Sequence, residues 1–430
     1  MQIKEVFLGV YSFLKISVLL SRYSHYFFGK NRIFVNYKSF GHSLIDTDAF
    51  LRYSENSLCI SIGRPQARNR FVGELLGKRQ YLLVLLPKSI SPNAQVRIGK
   101  ITYLILNLIL GIPRKFGAKV VLFHDSFSAT ESTALELLKS CNLFTDSQTE
   151  THFSNFKELI HTQSQFKRIA GTTLFAMLAN SRGIPEQFFK DYANELSLFL
   201  SALSHSEIEG QNTSSNTKNA FVTLIIRSGS KMHHGEGFAA YRDLLPYFVH
   251  SKDLNVLVLG DFSAFLESRE ELPAFIRERV FCPKDFAIHR NLVDIFGMYF
   301  SKYIFGDSSG LWGLFPLVSK SRGFRVNSIP ILESIRNTTS LPKEWRDKNN
   351  NKLSPVELKN LSYYVPQESK VMADKLKLIP RKHQEVTKLI IRDFEGRNSV
   401  HNSKLDFILS AEPITYHLYK EKFFFFSGIC

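Results

Sequence analysis

Tyr303-Ile304-Phe305-Gly306-Asp307-Ser308-Ser309-Gly310-Leu311-Trp312-Gly313-Leu314-Phe315-Pro316-Leu317 is the stretch from which the fold can be read. Tyr303, Ile304 and Phe305 form a short apolar run, Gly306 to Gly310 is polar, and the apolar spacing changes after Ser308. This predicts a buried strand that ends in a turn and passes directly into a helix. Free N–H groups and the positive end of the dipole at a helix start favour a phosphate, and Gly310 would let the backbone approach it. The same residues also fit an ordinary serine N-cap in front of a core helix.

The neighbours of the turn extend the pattern. Phe221 to Ile226 reads as a buried strand ending on Arg227, and Asn255 to Leu259 as a strand ending on Gly260-Asp261. Short runs at Val280–Phe281 and Phe324–Val326, with helices near Phe238–Phe248 and Asn291–Phe300, complete a β-α-β series over 221–335. A Rossmann-like nucleotide-binding domain follows, although neither GxGxxG nor GxxxxGK[ST] occurs, which disfavours a dinucleotide oxidoreductase and a P-loop enzyme. Arg227, Asp261 and Asp307 with its serines fall on one carboxyl edge. An arginine there can grip a phosphate through two nitrogens, or pair with a neighbouring carboxylate as surface arginines do. Lys231-Met232-His233-His234-Gly235 adds positive charge. Two adjacent histidines without a third ligand do not make a metal site, so none is expected.

The first half repeats the alternation. Strands are expected near Ile33–Tyr37, Leu58–Ile62, Tyr81–Leu86 and Lys119–His124, and helices near Asp46–Tyr53, Val96–Leu110 and Ser128–Cys141. Gly41-His42 lies in the loop after the first strand, where a histidine can serve as a base, orient an acceptor or merely cap the helix. Asp125 follows the fourth strand on the same edge, and equally fits the start of the next helix. Val6 to Leu20 is apolar but about 15 residues long and interrupted by Lys15, which suits an in-plane or packing helix better than a spanning one. Ile101 to Ile112 is also too short to span, so no transmembrane anchor is expected. The polar tract 206–220 divides an amino-terminal domain (32–205), preceded by an apolar segment (1–31), from the domain at 221–335. The remainder, 336–430, is expected to be mostly helical and ends in Phe423-Phe424-Phe425-Phe426 beside Lys420 and Lys422, a run suited to packing or to dipping into an interface.

With 430 residues, 44% of them hydrophobic, the chain holds enough apolar surface for two cores. Its formal charge of +16 implies attraction to something acidic, whether nucleotide phosphates, anionic lipid or nucleic acid. The four cysteines are scattered, with neither a disulfide framework nor ligand spacing, which fits a reducing compartment.

Two α/β halves, Arg227 closing the first strand of the second half, Gly260-Asp261 closing the next, Asp294-Ile295-Phe296 on a helix and the turn Gly306-Asp307-Ser308-Ser309-Gly310 together resemble bacterial glycosyltransferases found with surface-polysaccharide genes. The Arg227 strand and the serine turn are also similar to the donor site of GDP-fucose-dependent fucosyltransferases, and Gly41-His42 to the Gly-His after the first strand of many such enzymes. That family commonly places an Arg-Asn pair before the first helix of the donor domain, where this chain has His234-Gly235. The resemblance implies the GT-B arrangement, two Rossmann-like domains facing a cleft, with a helical carboxyl-terminal extension.

It further implies a GDP- or UDP-linked sugar donor, no cofactor, and a glycan or glycolipid acceptor, at the cytoplasmic face of a cell membrane with peripheral contact to it. Arg227 would hold the diphosphate, with Asp307, Ser308, Ser309 and Gly310 around it, and Asp261 or Asp294 would meet ribose or base. Gly41, His42 and Asp125 would face the acceptor, with His42 as catalytic base. Two other classes stand beside this: an inactive scaffold that keeps the fold, and a basic nucleic-acid binder. The second is disfavoured because the cations are dispersed and no stacking motif appears.

Overall fold

The computed structural model describes residues 32–37, 57–64, 69–76, 81–124, 181–204, 220–227, 237–307, 309–328, 338–342, 344–351, 377–379 and 383–396, with single residues at 7, 10, 11, 14, 44, 47, 48, 50 and 51. They divide into two compact units, each built on its own parallel sheet.

The first sheet joins β1 (Arg32–Asn36), β2 (Ser57–Gly63), β3 (Tyr81–Leu85) and β4 (Val121–His124) in the order β3-β2-β1-β4, all parallel. Every residue of β2 is buried, as expected of a parallel strand covered on both faces. Between the second and third strands lies α1 (Val72–Leu76), and after the third comes α2 (Pro92–Lys115). The long helix starts at Ser91, whose hydroxyl accepts the Ala94 N–H at 3.2 Å, with Pro92 in the first turn where no N–H is needed. Its Ile98, Leu106 and Leu110 enter the core with Val35, Ile60 and Val84. Gly99 rests against Tyr37, where a Cβ would come within 2.3 Å of the ring. Gln95 ties the sheet edge, donating to the Tyr37 carbonyl at 2.9 Å and accepting the Arg64 N–H at 3.4 Å.

The second sheet contains β5 (Phe221–Ile226), β6 (Asn255–Gly260), β7 (Val280–Phe281), β8 (Tyr303–Asp307), β9 (Arg322–Ser328) and β10 (Thr338–Pro342), in the order β10-β9-β8-β5-β6-β7. Its pairs are parallel throughout. Before it come α3 (Glu186–Asp191) and α4 (Ala193–Ser204). Later follow α5 (Arg290–Phe300), α6 (Phe315–Val318) and α7 (His383–Phe394). Phe199 of α4 stacks on Phe286 at 5.0 Å and meets Phe221 and Phe296, while the Leu203 carbonyl accepts from Asn255 Nδ2 at 2.7 Å. Residues 186–204 therefore belong to the second unit, not to an amino-terminal domain reaching 205. Residues 206–219 themselves lie outside the described set.

Three further expectations need correction. Region 336–430 is not chiefly helical in its described part, since Thr338–Pro342 adds an edge strand and β11 (Glu344–Arg346) pairs antiparallel with β12 (Lys377–Ile379). Strands this short carry too few alternating positions to be seen as a pattern. The segment Phe238–Leu244 is a 3₁₀ helix followed by a π turn at Tyr247–Ser251, because Pro246 has no N–H to continue an α ladder. Finally α2 runs well beyond the apolar run 101–112, and Asn93–Lys115 is long and apolar enough to cross a membrane by length and composition.

A polar network closes the amino end of the second sheet. Asp393 on α7 is fully buried and accepts from Tyr303 Oη at 2.7 Å, from Thr339 Oγ1 at 2.9 Å and from Arg322 Nη2 at 3.3 Å. Burial first, and the Asp393 carboxylate second, push the Tyr303 phenol well above its usual range, so it remains a donor. Val386, Leu389 and Ile390 of the same helix join the core of this unit.

Candidate functional site

The strand order fixes where a site can form. From β5 the chain adds β6 and β7 on one side, then crosses to place β8, β9 and β10 on the other. The reversal lies between β5 and β8, and in an open α/β sheet the crevice at the carboxyl ends of such a pair is where ligands bind. The first of these leads into Arg227 and the second ends on Asp307, two residues before Ser309.

The end of β5 is held from both flanks. On the β6 side the Asp261 N–H donates to the Ile226 carbonyl at 3.0 Å. On the β8 side the Arg227 N–H donates to Asp307 Oδ2 at 3.1 Å. Two glycines make the approach possible. Gly260 has φ 87° and Gly306 has φ 132°, and a Cβ on either would lie 2.2 Å from the Ile226 oxygen or 2.0 Å from the Ile225 oxygen. Only glycine combines that conformation with that contact. Gly306 and Asp307 thus continue the strand, where the sequence had suggested a turn.

Asp307 is fully buried. Its carboxylate also accepts from Tyr241 Oη at 2.8 Å and Asn327 Nδ2 at 3.2 Å, and its carbonyl from Trp312 Nε1 at 2.9 Å. Expected to touch a ligand, it instead faces inward and joins β5, β8, β9 and the 3₁₀ segment at one point. Ser309 accepts the Leu311 N–H at 3.2 Å, which is the N-cap reading, and the element it caps is a 3₁₀ turn, Gly310–Gly313, leading into the four-residue α6. Pro316, which has no N–H to donate, stands in the first turn of that helix.

Asp294 stands apart from these satisfied groups. It lies in the first half of α5, which begins at the carboxyl edge, where Arg290 Nη2 donates to the Gly260 carbonyl at 2.9 Å. Gly297 packs against Leu257 and its carbonyl accepts from Thr223 Oγ1, which holds the helix tight to the sheet. Asp294 is buried and its Oδ1 has no hydrogen-bond partner. Desolvation raises its pKa to about 7, against a smaller lowering by Arg290. The carboxyl is therefore poised between acid and carboxylate near neutrality.

The sheet edge thus brings together Arg227, Asp261, Asp307, Ser309 and Gly310, with Asp294 on the helix that starts there. Ser308, Gly41, His42, Asp125 and His234-Gly235 lie outside the described residues. In the first sheet the order β3-β2-β1-β4 puts the reversal between β1 and β4, the strands that lead into Gly41-His42 and Asp125. Among the described residues no group of three or more His, Cys, Asp or Glu could hold a metal ion.

Sequence reasoning missed Tyr241, Trp312 and Asn327. The last has φ 58° and is the extra residue where β9 slips against β10, since Val326 pairs with Leu341 and Ser328 with Pro342. This bulge turns the Asn327 side chain toward Asp307. Asparagine tolerates that conformation, so its place directly after the short run Phe324–Val326 was the available signal.

No protein-family model matches the chain, and no curated protein matches it significantly. Among solved structures it is similar to the ADP-heptose lipopolysaccharide heptosyltransferase II of Escherichia coli, with 11% identity and a TM-score of 0.35 over 72% of this chain and 89% of that one. It is also similar to a Neisseria meningitidis UDP-GlcNAc 2-epimerase bound to UDP-GlcNAc, with 13% identity and a TM-score of 0.32 over 85% of this chain and 100% of the other. Scores below 0.5 carry no inference about activity.

Proposed function

We propose that the chain is a glycosyltransferase that moves a sugar from a GDP- or UDP-linked donor to a polysaccharide or lipid-linked glycan at the cytoplasmic face of a membrane. The observation that carries this reading is that Arg227 and Asp307, with Ser309 just beyond it, stand at the carboxyl ends of the two strands flanking the reversal of the second sheet. A departing nucleoside diphosphate needs fixed positive groups and N–H donors aimed at it. Arg227 supplies the charge, and the turn after Asp307 supplies donors from Ser308, Ser309 and Gly310. Asp307 acts one step back, by holding the Arg227 backbone. Asp261, exposed beside Arg227, and Asp294 are the candidates for ribose or base. On this reading Gly41, His42 and Asp125 serve the acceptor, with His42 taking the proton from its hydroxyl.

Calorimetry with UDP and GDP tests the assignment. One of the two binds the parent protein, and Arg227→Ala weakens that binding about 10- to 100-fold, the range for losing a charge-assisted contact to phosphate. Equal affinity in the variant overturns the donor site. A parent that binds neither nucleotide but retains RNA in a salt-sensitive manner is a nucleic-acid binder.

A further inference from the structure

Helix α2 has two unlike faces. Ile98, Leu106 and Leu110 are buried against the first sheet, while Leu104, Leu108, Ile112 and Phe116 on the far side are exposed by 58%, 76%, 61% and 86%. These four recur every fourth residue, so at 100° per residue they form one outward stripe. Lys100 precedes the stripe, and Lys115 and Lys119 lie on either side of Phe116 at its end, all three exposed. The surroundings carry a single sign of charge. From residue 75 to residue 124 the sequence has eight Lys and Arg and no Asp or Glu. Near the amino terminus Phe7, Val10, Tyr11 and Leu14 repeat the pattern, being helical, exposed and three or four residues apart.

We infer that the outward face of α2 docks on the surface of an anionic lipid bilayer, with Leu104, Leu108, Ile112 and Phe116 entering the headgroup boundary and Lys100, Lys115 and Lys119 meeting lipid phosphates. An apolar stripe bracketed by lysines is what interfacial binding requires. Charge selects this occupant over a second copy of the chain, because a two-fold contact would set one acid-free, eightfold-cationic stretch against another. A spanning role does not suit the helix, since its other face is committed to the sheet. The inference rests on the α2 surface alone and is independent of the nucleotide reading.

Vesicle co-sedimentation of the full chain provides the test. The parent protein partitions onto vesicles of phosphatidylcholine with phosphatidylglycerol, does so far less on phosphatidylcholine alone, and is released by salt. The double variant Leu108→Glu/Ile112→Glu abolishes the binding with an unchanged melting temperature. The triple variant Lys100→Glu/Lys115→Glu/Lys119→Glu weakens it about 100-fold or more, at roughly fivefold for each lysine near the surface. Absence of binding to the anionic vesicles overturns the proposal, and so does binding that survives the Leu108 and Ile112 changes. A sharp fall in melting temperature for the glutamate pair overturns it as well, because another part of the chain then covers the face. Nucleotide binding is unaffected in both variants.

Discussion

The two ends of β8 are built from the same pair of groups. At the amino end the Tyr303 phenol donates to Asp393 at 2.7 Å, and at the carboxyl end the Tyr241 phenol donates to Asp307 at 2.8 Å. What surrounds each pair differs. Asp393 sits on a helix whose apolar face is in the core, and Arg322 and Thr339 share its carboxylate. Asp307 sits at the end of its own strand, and its partners include the N–H of Arg227, the next residue out from β5. The first arrangement fastens an element onto the sheet. The second fixes the backbone of a residue at the carboxyl edge of the sheet, so similar bonds serve attachment at one end and placement at the other.

Asp393→Ala breaks the comparison hardest. It removes a buried carboxylate, leaves the buried Tyr303 hydroxyl unsatisfied and breaks the charged bond to the half-exposed Arg322, a loss of roughly 3–5 kcal/mol in all. Denaturant unfolding should show that loss, with α7 detaching first. If stability falls by less than about 1 kcal/mol, the network is not what holds α7.

Asp294 sharpens the contrast between the ends, since it is buried near the carboxyl edge with an unpartnered oxygen where Asp393 is bonded. Its folded pKa of about 7 stands above the ordinary value of 3.8. Between those values the folded protein keeps a proton that the unfolded chain has released. The contribution is therefore full below pH ~4 and is lost as pH rises to about 7, with a ceiling near 4 kcal/mol at ~1.36 kcal/mol per unit. Asp294→Asn should remove this slope and gain stability over the parent as pH rises. Parallel pH profiles for the two proteins would show that the carboxyl is solvated or paired in solution. In the donor reading the same variant also weakens nucleotide binding, which a purely structural carboxyl would leave alone.

Gly306→Ala comes next. The new Cβ would press on the Ile225 carbonyl at a φ that side chains rarely adopt, costing at least ~1–3 kcal/mol. Because the displaced residue is next to Asp307, nucleotide affinity should fall along with stability. A variant that melts like the parent would show that β8 need not approach β5 so closely.

Much of this was legible in the residues. The β-branched runs at 221–226 and 255–259 and the short run at 280–281 are strands, since buried parallel strands announce themselves by continuous apolar content. The shared edge of Arg227, Asp261 and Asp307 followed from the alternation of elements. The order of the strands did not, because parallel pairing is set by packing between distant segments and leaves no local mark. For the same reason the inward turn of Asp307 was hidden: its partners Tyr241, Asn327 and Arg227 lie 66, 20 and 80 residues away. The attachment of α4 through Phe199 depended likewise on aromatic contacts across a polar tract.

The smallest effects give the cleanest comparison. Tyr303→Phe and Tyr241→Phe each delete one phenol oxygen facing a buried aspartate and change nothing else in shape, so each should lower stability by about 1 kcal/mol. Their consequences for ligand should part. Loss of the Tyr303 bond loosens α7 and leaves Arg227 where it is, so nucleoside diphosphate affinity stays at the parent level. Loss of the Tyr241 bond frees the Asp307 carboxylate to shift, and the Arg227 N–H that it accepts shifts with it, so affinity falls several-fold. Calorimetry on the two variants at matched stability decides the point, and equal affinities would mean that the carboxyl end of β8, like the amino end, is there only to hold the sheet together.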